Sequence, residues 1–285
     1  MCIRDRMGIV DVGGGMRGVF GCGVIDFLLD NDITFDYCLG VSAGSANLAS
    51  YVSRQRGRNY RYYTKYSLRP EYMSAFNFVT KHSFFDLDYV YSVLSDSDGE
   101  DPLDYKTLSQ SNQIYKAVAT NGETGDPHYF TKDDFRQDFY EPLKASSAIP
   151  GVCKPVSIDG TDYFDGGVSD PIPVEKALAD GCDHVFLILT KPIDFVKKPE
   201  MFKSAYTKVL KKYPAVIKKL NIRHETYNNE IKKALELSKE GKVTIIAPDD
   251  GYSVTAFTRN LRELNHLYNE GYIKAGEILK NKGYL

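Results

Sequence analysis

Histidine is scarce, with five residues in 285. His82 and His128 fall in loop-like segments, His184 opens an apolar strand, and His224 and His266 sit on charged helical stretches. None stands beside a glycine-supported turn, so chemistry that relies on an imidazole base has no obvious place here. Cysteine is equally thin. Cys2, Cys22, Cys38, Cys153 and Cys182 are odd in number, form no C-x-x-C pair and lie near apolar runs. That usage speaks against a disulfide framework and for reduced thiols in a cytoplasmic protein. No apolar run reaches the roughly 18 residues expected of a membrane-spanning helix, and the amino-terminal stretch has no signal-peptide core. A net charge of -2 gives no overall signal for nucleic acid. Internal repeats and low-complexity tracts are absent.

What is present is an ordinary globular composition, 42% apolar and 26% charged, able to bury a sizeable core. "MCIRDR" is charged and unpatterned, and residues 1–7 are expected to be a non-native leader, with native sequence beginning near Met7 or Gly8. Ile9–Val12 reads as a strand that runs into "GGGMRG". A helix-patterned stretch closed by Asp30, Asn31 and Asp32 comes next, then the apolar strand "FDYCLGV", then a helix that begins at a serine. These fifty residues spell a βαβ unit with parallel strands. Residues 54–112, rich in tyrosine and arginine, read as an insertion of helices and loops. "QIYKAVATN", "PHYFTK", "KPVSIDGTDYFD", "HVFLILT" and "KVTIIAP" read as further strands, with Asp159-Gly160 as a hairpin turn. From Lys191 the composition turns basic and helical, and "VTAFTRNLRELNHLYNEGYIKAGEILK" is read as closing helices.

Three motifs carry chemistry. Gly13-Gly14-Gly15-Met16-Arg17-Gly18 lies between a strand and a helix. Glycines there turn the backbone so that successive N–H groups face one spot, a nest for an anion. The anion is either a phosphate or the oxyanion of an acyl transfer. Gly13, Gly15 and Gly18 fit G-x-G-x-x-G, but Asp36 stands at the start of the second strand, not at its end where a ribose-binding acid belongs. The second motif is Gly40-Val41-Ser42-Ala43-Gly44, in the strand–turn–helix setting of a nucleophile elbow. A helix-capping serine is the plainer reading, but a cap does not require flanking glycines. The third is Asp165-Gly166-Gly167 at a strand end. Alone it is a turn aspartate; with the others it offers a base where histidine offers none.

G-G-G-x-R-G, then G-x-S-x-G about twenty-five residues on, then a distant D-G-G preceded by "KASSAIPGVCKPV", resembles the patatin-like phospholipase family over roughly residues 8–190. Within that family the likeness is to bacterial members with an extra carboxyl-terminal region, here 191–285. The resemblance implies a three-layer α/β/α fold with a central, mostly parallel sheet, plus a mainly helical extension with one strand. It implies a Ser42–Asp165 dyad. The amides of Gly14, Gly15 and Met16 would hold the oxyanion, Arg17 would fill the arginine slot beside them, and Gly13, Gly18, Gly40, Gly44, Gly166 and Gly167 would shape the turns. The expected activity is a serine acyl hydrolase cleaving fatty-acyl esters of lipids, without cofactor or metal. A general carboxylesterase and a phosphate- or nucleotide-binding module are the alternatives. Partners are then a lipid ester, with transient contact at a membrane surface and no nucleic acid. The Tyr/Phe-rich segment 59–91 would line an acyl groove, form a lid or, as plainly, pack helices. The basic excess of 191–245 would touch headgroups or, more simply, be a solvated helix face.

Overall fold

A computed structural model describes residues 5–201, 203–249 and 253–284; residues 1–4 of the expected leader lie outside them. The strands are β1 (Met7–Asp11), β2 (Tyr37–Val41), β3 (Ile114–Asn121), β4 (Pro127–Thr131), β5 (Val156–Ile158), β6 (Thr161–Asp165), β7 (His184–Ile188) and β8 (Val243–Ile246). The helices are α1 (Val19–Asp30), α2 (Ala43–Val52), α3 (Arg58–Thr64), α4 (Ala75–Lys81), α5 (Tyr105–Gln110), α6 (Glu141–Ser147), α7 (Val174–Ala179), α8 (Lys203–Val209), α9 (Pro214–Lys239) and α10 (Leu261–Asn281). All strands join one sheet in the order β5-β6-β3-β2-β1-β7-β8, with β4 also on β3. The central pairs β7–β8, β1–β7, β1–β2 and β2–β3 are parallel; the β3, β4, β5, β6 arm is antiparallel.

Strand residues alternate between two cores, as the two-residue side-chain period demands. Ile9, Cys38, Ala117 and Phe186 face the core shared with α1, α2 and α10, whereas Val10, Leu39, Val118 and Leu187 face the core shared with α7 and α9. Both faces of the central strands are therefore covered, and β2 is buried along its whole length. The three-layer architecture expected from the sequence is what the chain adopts. The β5–β6 hairpin turns at Asp159-Gly160, both at positive φ (48° and 80°), the backbone such a two-residue turn requires.

Two details differ from the sequence reading. β1 starts at Met7, and the Arg6 amide donates to Asp183 Oδ2 at 2.7 Å, so the sheet begins inside the segment taken as leader. The stretch Val254–Arg259 is not helical. Asn260 caps α10 by accepting from the Arg262 amide at 3.1 Å, and the residues before it run as a loop across the carboxyl edge of the sheet.

The carboxyl-terminal region is continuous with the rest. β8 pairs in parallel with β7 and so extends the same sheet. α10 crosses α1 so closely that a Cβ on Gly23 would lie 2.0 Å from the Tyr268 carbonyl oxygen. Glu230 on α9 accepts from the Ile172 amide at 2.7 Å. Burial first, then the charge of Asp170, pushes its carboxyl up to about 8, with the Ile172 bond pulling the other way. A carboxyl raised in the folded state gives stability that is complete in acid and is lost as pH rises from the ordinary carboxylate range through about 8. Glu230→Gln is therefore expected to gain melting temperature relative to the parent as pH is raised from about 5 to about 9. A difference that stays flat over that range in thermal melts would contradict the assignment.

Candidate active site

The site is built where β1, β2 and β6 end together. β2 occupies one edge of β3 as far as the pair Val41–Val118. β4 takes the opposite edge of β3, pairing across residues 116–120. β6 takes over the β2 side from the pair Ala119–Asp165 onward. The carboxyl ends of β2 and β6 thus meet head to head, and Ser42 and Asp165 line one cleft. That register brings together two residues distant in the chain with no connecting element between them.

Ser42 has φ 56° and ψ −131°, a conformation costly for a residue with a side chain. Hydrogen bonds on both sides of the residue fix the turn. Ser45 donates through both its amide (2.9 Å) and its hydroxyl (2.6 Å) to the Ser42 carbonyl, and the Ser42 amide donates to Ser146 Oγ at 3.0 Å. The helix-capping alternative fails on geometry: the Ser42 side chain caps nothing in α2. The tightness has a backbone cause. A Cβ on Gly44 would lie 2.2 Å from the Asp11 carbonyl oxygen, and one on Gly13, itself at φ +60°, would lie 2.3 Å from the Val41 carbonyl oxygen. The turn after β1 and the turn after β2 touch main chain to main chain, and only glycine allows it.

Asp165 is buried and its Oδ1 accepts from the Gly167 amide at 2.8 Å. Burial raises its pKa above the ordinary carboxylate range; the Ser42 hydroxyl, Arg223 and the Gly167 amide each pull it back down. Its turn also depends on close approach, since a Cβ on Gly166 would lie 2.3 Å from the Val118 carbonyl oxygen. No histidine lines this cleft or the pocket beside it. His184 is held by the Gly241 carbonyl (2.9 Å) and Thr244 (2.8 Å), and His128 packs on Phe130 and Tyr163.

Gly13, Gly14 and Gly15 all have positive φ, and the segment continues as a short 3-10 turn, Gly15–Gly18. Among the described residues the Gly14 and Gly15 amides have no acceptor. The Met16 amide is different: it donates to the Ala256 carbonyl at 3.2 Å. The loop before α10 thus lies over the nest, with Phe257 against Phe84 and Phe85 at ring-centre distances of 5.4 and 5.6 Å. Gly18 carries no side chain where Tyr63 Oη would be 2.4 Å from a Cβ. The loop is held from below by a residue that sequence reasoning missed. Asp11, fully buried, accepts from the Gly13 amide and from Asn47 Nδ2, each at 2.9 Å. Burial pushes its carboxyl up to about 6, against those two hydrogen bonds. The available signal was a lone acid ending a buried apolar strand. Asp36, the candidate ribose acid, accepts from the Met7 amide at 2.9 Å, at the amino-terminal end of the strands and away from the nest.

Two cavities open from Ser42. A small one, about 70 Å³, runs inward between Tyr62, Tyr63, Tyr72, Phe85, Val90 and Tyr91. The aromatic insertion thereby lines a pocket in addition to packing the core. A larger cleft of about 760 Å³ opens outward and includes Arg17, Asp165, Lys191, Lys197 and Arg223.

A family model described as "Patatin-like phospholipase" matches residues 12–178. The chain belongs to that family. A second model, a domain of unknown function (DUF6363), matches residues 213–282. An uncharacterized Escherichia coli protein, YjjU, is 33% identical over 203 residues, covering 70% of this chain and 56% of that protein. Lysophospholipase NTE1 of Yarrowia lipolytica is 28% identical over 67% of this chain but only 13% of its own length. The chain thus spans little more than half of one curated relative and a small part of the other. VipD of Legionella pneumophila aligns with 98% of this chain and 67% of its own at 13% identity and a TM-score of 0.49. Among the described residues no helix is long and apolar enough to cross a membrane.

The main-chain contact gives a direct test. Gly44→Ala places a methyl against the Asp11 carbonyl and is expected to cost about 3 kcal/mol or more in urea unfolding. An unchanged unfolding midpoint would show that the two turns are free to part.

Proposed function

We propose that this protein is a serine acyl hydrolase that cleaves fatty-acyl esters of lipids, with Ser42 as nucleophile and Asp165 as its base. The observation that carries the reading is the strained Ser42 turn set beside a buried carboxyl and a loop with two unused amides. Aspartate is ordinarily a weak base for a hydroxyl. Burial raises Asp165 and direct contact lets it take the proton as Ser42 attacks. The tetrahedral intermediate then develops its negative charge toward the Gly14 and Gly15 amides, where preorganised donors are worth roughly 3–4 kcal/mol each. The alcohol leaves with the proton from Asp165. The same carboxylate next activates a water on the acyl-enzyme.

A lipid substrate is supported by the rim of the cleft. Phe78, Met201, Val209 and Phe257 line it while remaining 47, 76, 67 and 46% exposed. Apolar side chains left in water around a polar centre suit an amphiphile and brief contact with a lipid surface. The relatives named as lysophospholipases agree with that class.

A fluorophosphonate probe is expected to label the parent at Ser42 and not Ser42→Ala. Asp165→Asn is expected to lower kcat/KM on a fatty-acyl ester by roughly 10²–10⁴-fold. Full activity in that variant would remove Asp165 as base. Because the carboxyl acts when ionised, activity should rise with pH through a pKa above the ordinary carboxylate range. An acid limb at the pKa of free aspartate would contradict the buried base. Phe257→Ala loosens the loop that holds the Met16 amide, so it is expected to speed labelling. Slower labelling would mean that the loop helps to form the site and does not obstruct it.

A further inference from the structure

Two arginines lie near Ser42, Arg58 buried and Arg17 half-buried, and they differ in one respect. Arg58 has its donors spent: on the Asp101 carbonyl (3.2 and 3.1 Å), Ser50 (3.1 Å), Tyr62 (2.9 Å) and Ser95 (2.9 Å). It pins α3 to α2 and to the segment 95–101. Arg17 has no such set. Among the described residues its buried Nε has no hydrogen-bond partner and its guanidinium forms no ion pair. A buried guanidinium nitrogen with no acceptor is costly and calls for an explanation.

Its surroundings supply one. Lys191, Lys197 and Arg223 line the same cleft, so four cations share it with two carboxylates, Asp165 and Glu200. Glu200 is already engaged by Lys197 (2.8 Å) and Arg223 (3.1 Å). Arg223 also donates to the Gly167 carbonyl. Lys191 has no carboxylate partner among the described residues; its ammonium sits 4.8 Å from the centre of the Phe195 ring. Burial lowers the pKa of Arg17, Lys191 and Lys197, and nearby cations lower each further. Such crowding is unfavourable until an anion enters. The segment is held in place: Asn228 on α9 accepts from the Lys197 amide (2.9 Å) and donates to its carbonyl (3.0 Å).

We propose that Arg17, Lys191, Lys197 and Arg223 form a subsite for a phosphate monoester on the alcohol side of the scissile ester. The favoured substrates are then acylglycerol phosphates. This rests on the acyl-hydrolase reading above and adds the headgroup to it. The two cavities share Ser42, one small and lined by aromatic side chains, the other larger and carrying the cations, which matches an ester with an apolar acyl side and a charged alcohol side. A monoester phosphate carries close to two negative charges at neutral pH and accepts in the bidentate manner that arginine offers. A phosphocholine carries a quaternary cation beyond its phosphate, which four cations repel. An uncharged glyceride leaves the cluster unneutralised.

The test uses three soluble esters with one short acyl chain: acylglycerol 3-phosphate, acylglycerophosphocholine and acylglycerol. The phosphate monoester is expected to have the highest kcat/KM, by about tenfold over the uncharged ester. Lys191→Gln should reduce that ratio about tenfold, mainly through KM. Lys239→Gln, which removes the same charge at the end of α9, should leave the ratio as it is. Calorimetry reads the subsite without hydrolysis: glycerol 3-phosphate should bind the parent and bind Lys191→Gln about tenfold more weakly. Equal kcat/KM for the three esters, or a ratio unaffected by Lys191→Gln, overturns the proposal. Binding of inorganic phosphate with no preference for the phosphate ester also overturns it, and assigns the cluster to free phosphate. If Ser42 is unlabelled and no ester is cleaved, the hydrolase reading fails, while glycerol 3-phosphate binding still decides the subsite.

Discussion

The contact on which the rest depends is between two pieces of main chain. The turns after β1 and β2 approach until Gly44 meets the Asp11 carbonyl and Gly13 meets the Val41 carbonyl. No side chain mediates that contact, so no side-chain adjustment can relax it. It sets the distance between the strained serine and the glycine nest. It also explains the buried Asp11: with the loop pressed against the sheet, the Gly13 amide needs an acceptor beneath it, and the carboxyl provides one. Asn47, reaching up from α2, completes the bracket by bonding both Asp11 Oδ2 and the Gly18 carbonyl.

The local features of the site were legible in the sequence because they are backbone requirements, and glycine spacing records backbone requirements directly. G-G-G-M-R-G, G-V-S-A-G and D-G-G each mark a turn that other residues would prevent. The α/β layering was legible from strand runs such as "HVFLILT", which only a sheet covered on both faces would bury. What was not legible arises from pairings across the sheet. Asp11 and Asn47 are 36 positions apart and ordinary in isolation. Val254 and Phe257 carry an apolar spacing that suits a helix, yet Val254 is buried in the core and Phe257 is stacked over the cleft. Likewise, the basic excess after Lys191 looked like a solvated face. Most of it is, but Lys191, Lys197 and Arg223 turn inward to the cleft, and charge counting does not distinguish those three from the rest.

The carboxyl-terminal region therefore contributes more than a cover. It supplies a strand to the sheet, a helix against α1, three cations to the cleft and the carbonyl that meets the Met16 amide. Its match to a separate family model divides the chain by sequence. The molecule has no corresponding seam, since the sheet and the core around α1 both run through that boundary.

The crossing of α1 and α10 has a consequence for how the protein comes into being. α1 comes directly after the glycine loop, and its outer face is closed only when Gly271 seats against the Phe20 carbonyl, 2.1 Å from where a Cβ would be. The residues that complete this packing are translated long after α1 itself. Synthesis runs at roughly 5–20 residues per second, so for roughly 10–45 seconds every nascent chain carries the strand, loop and serine without the helix that packs on α1. The candidate site is encoded ahead of the helix that completes its scaffold, so its packing cannot close until α10 has been made.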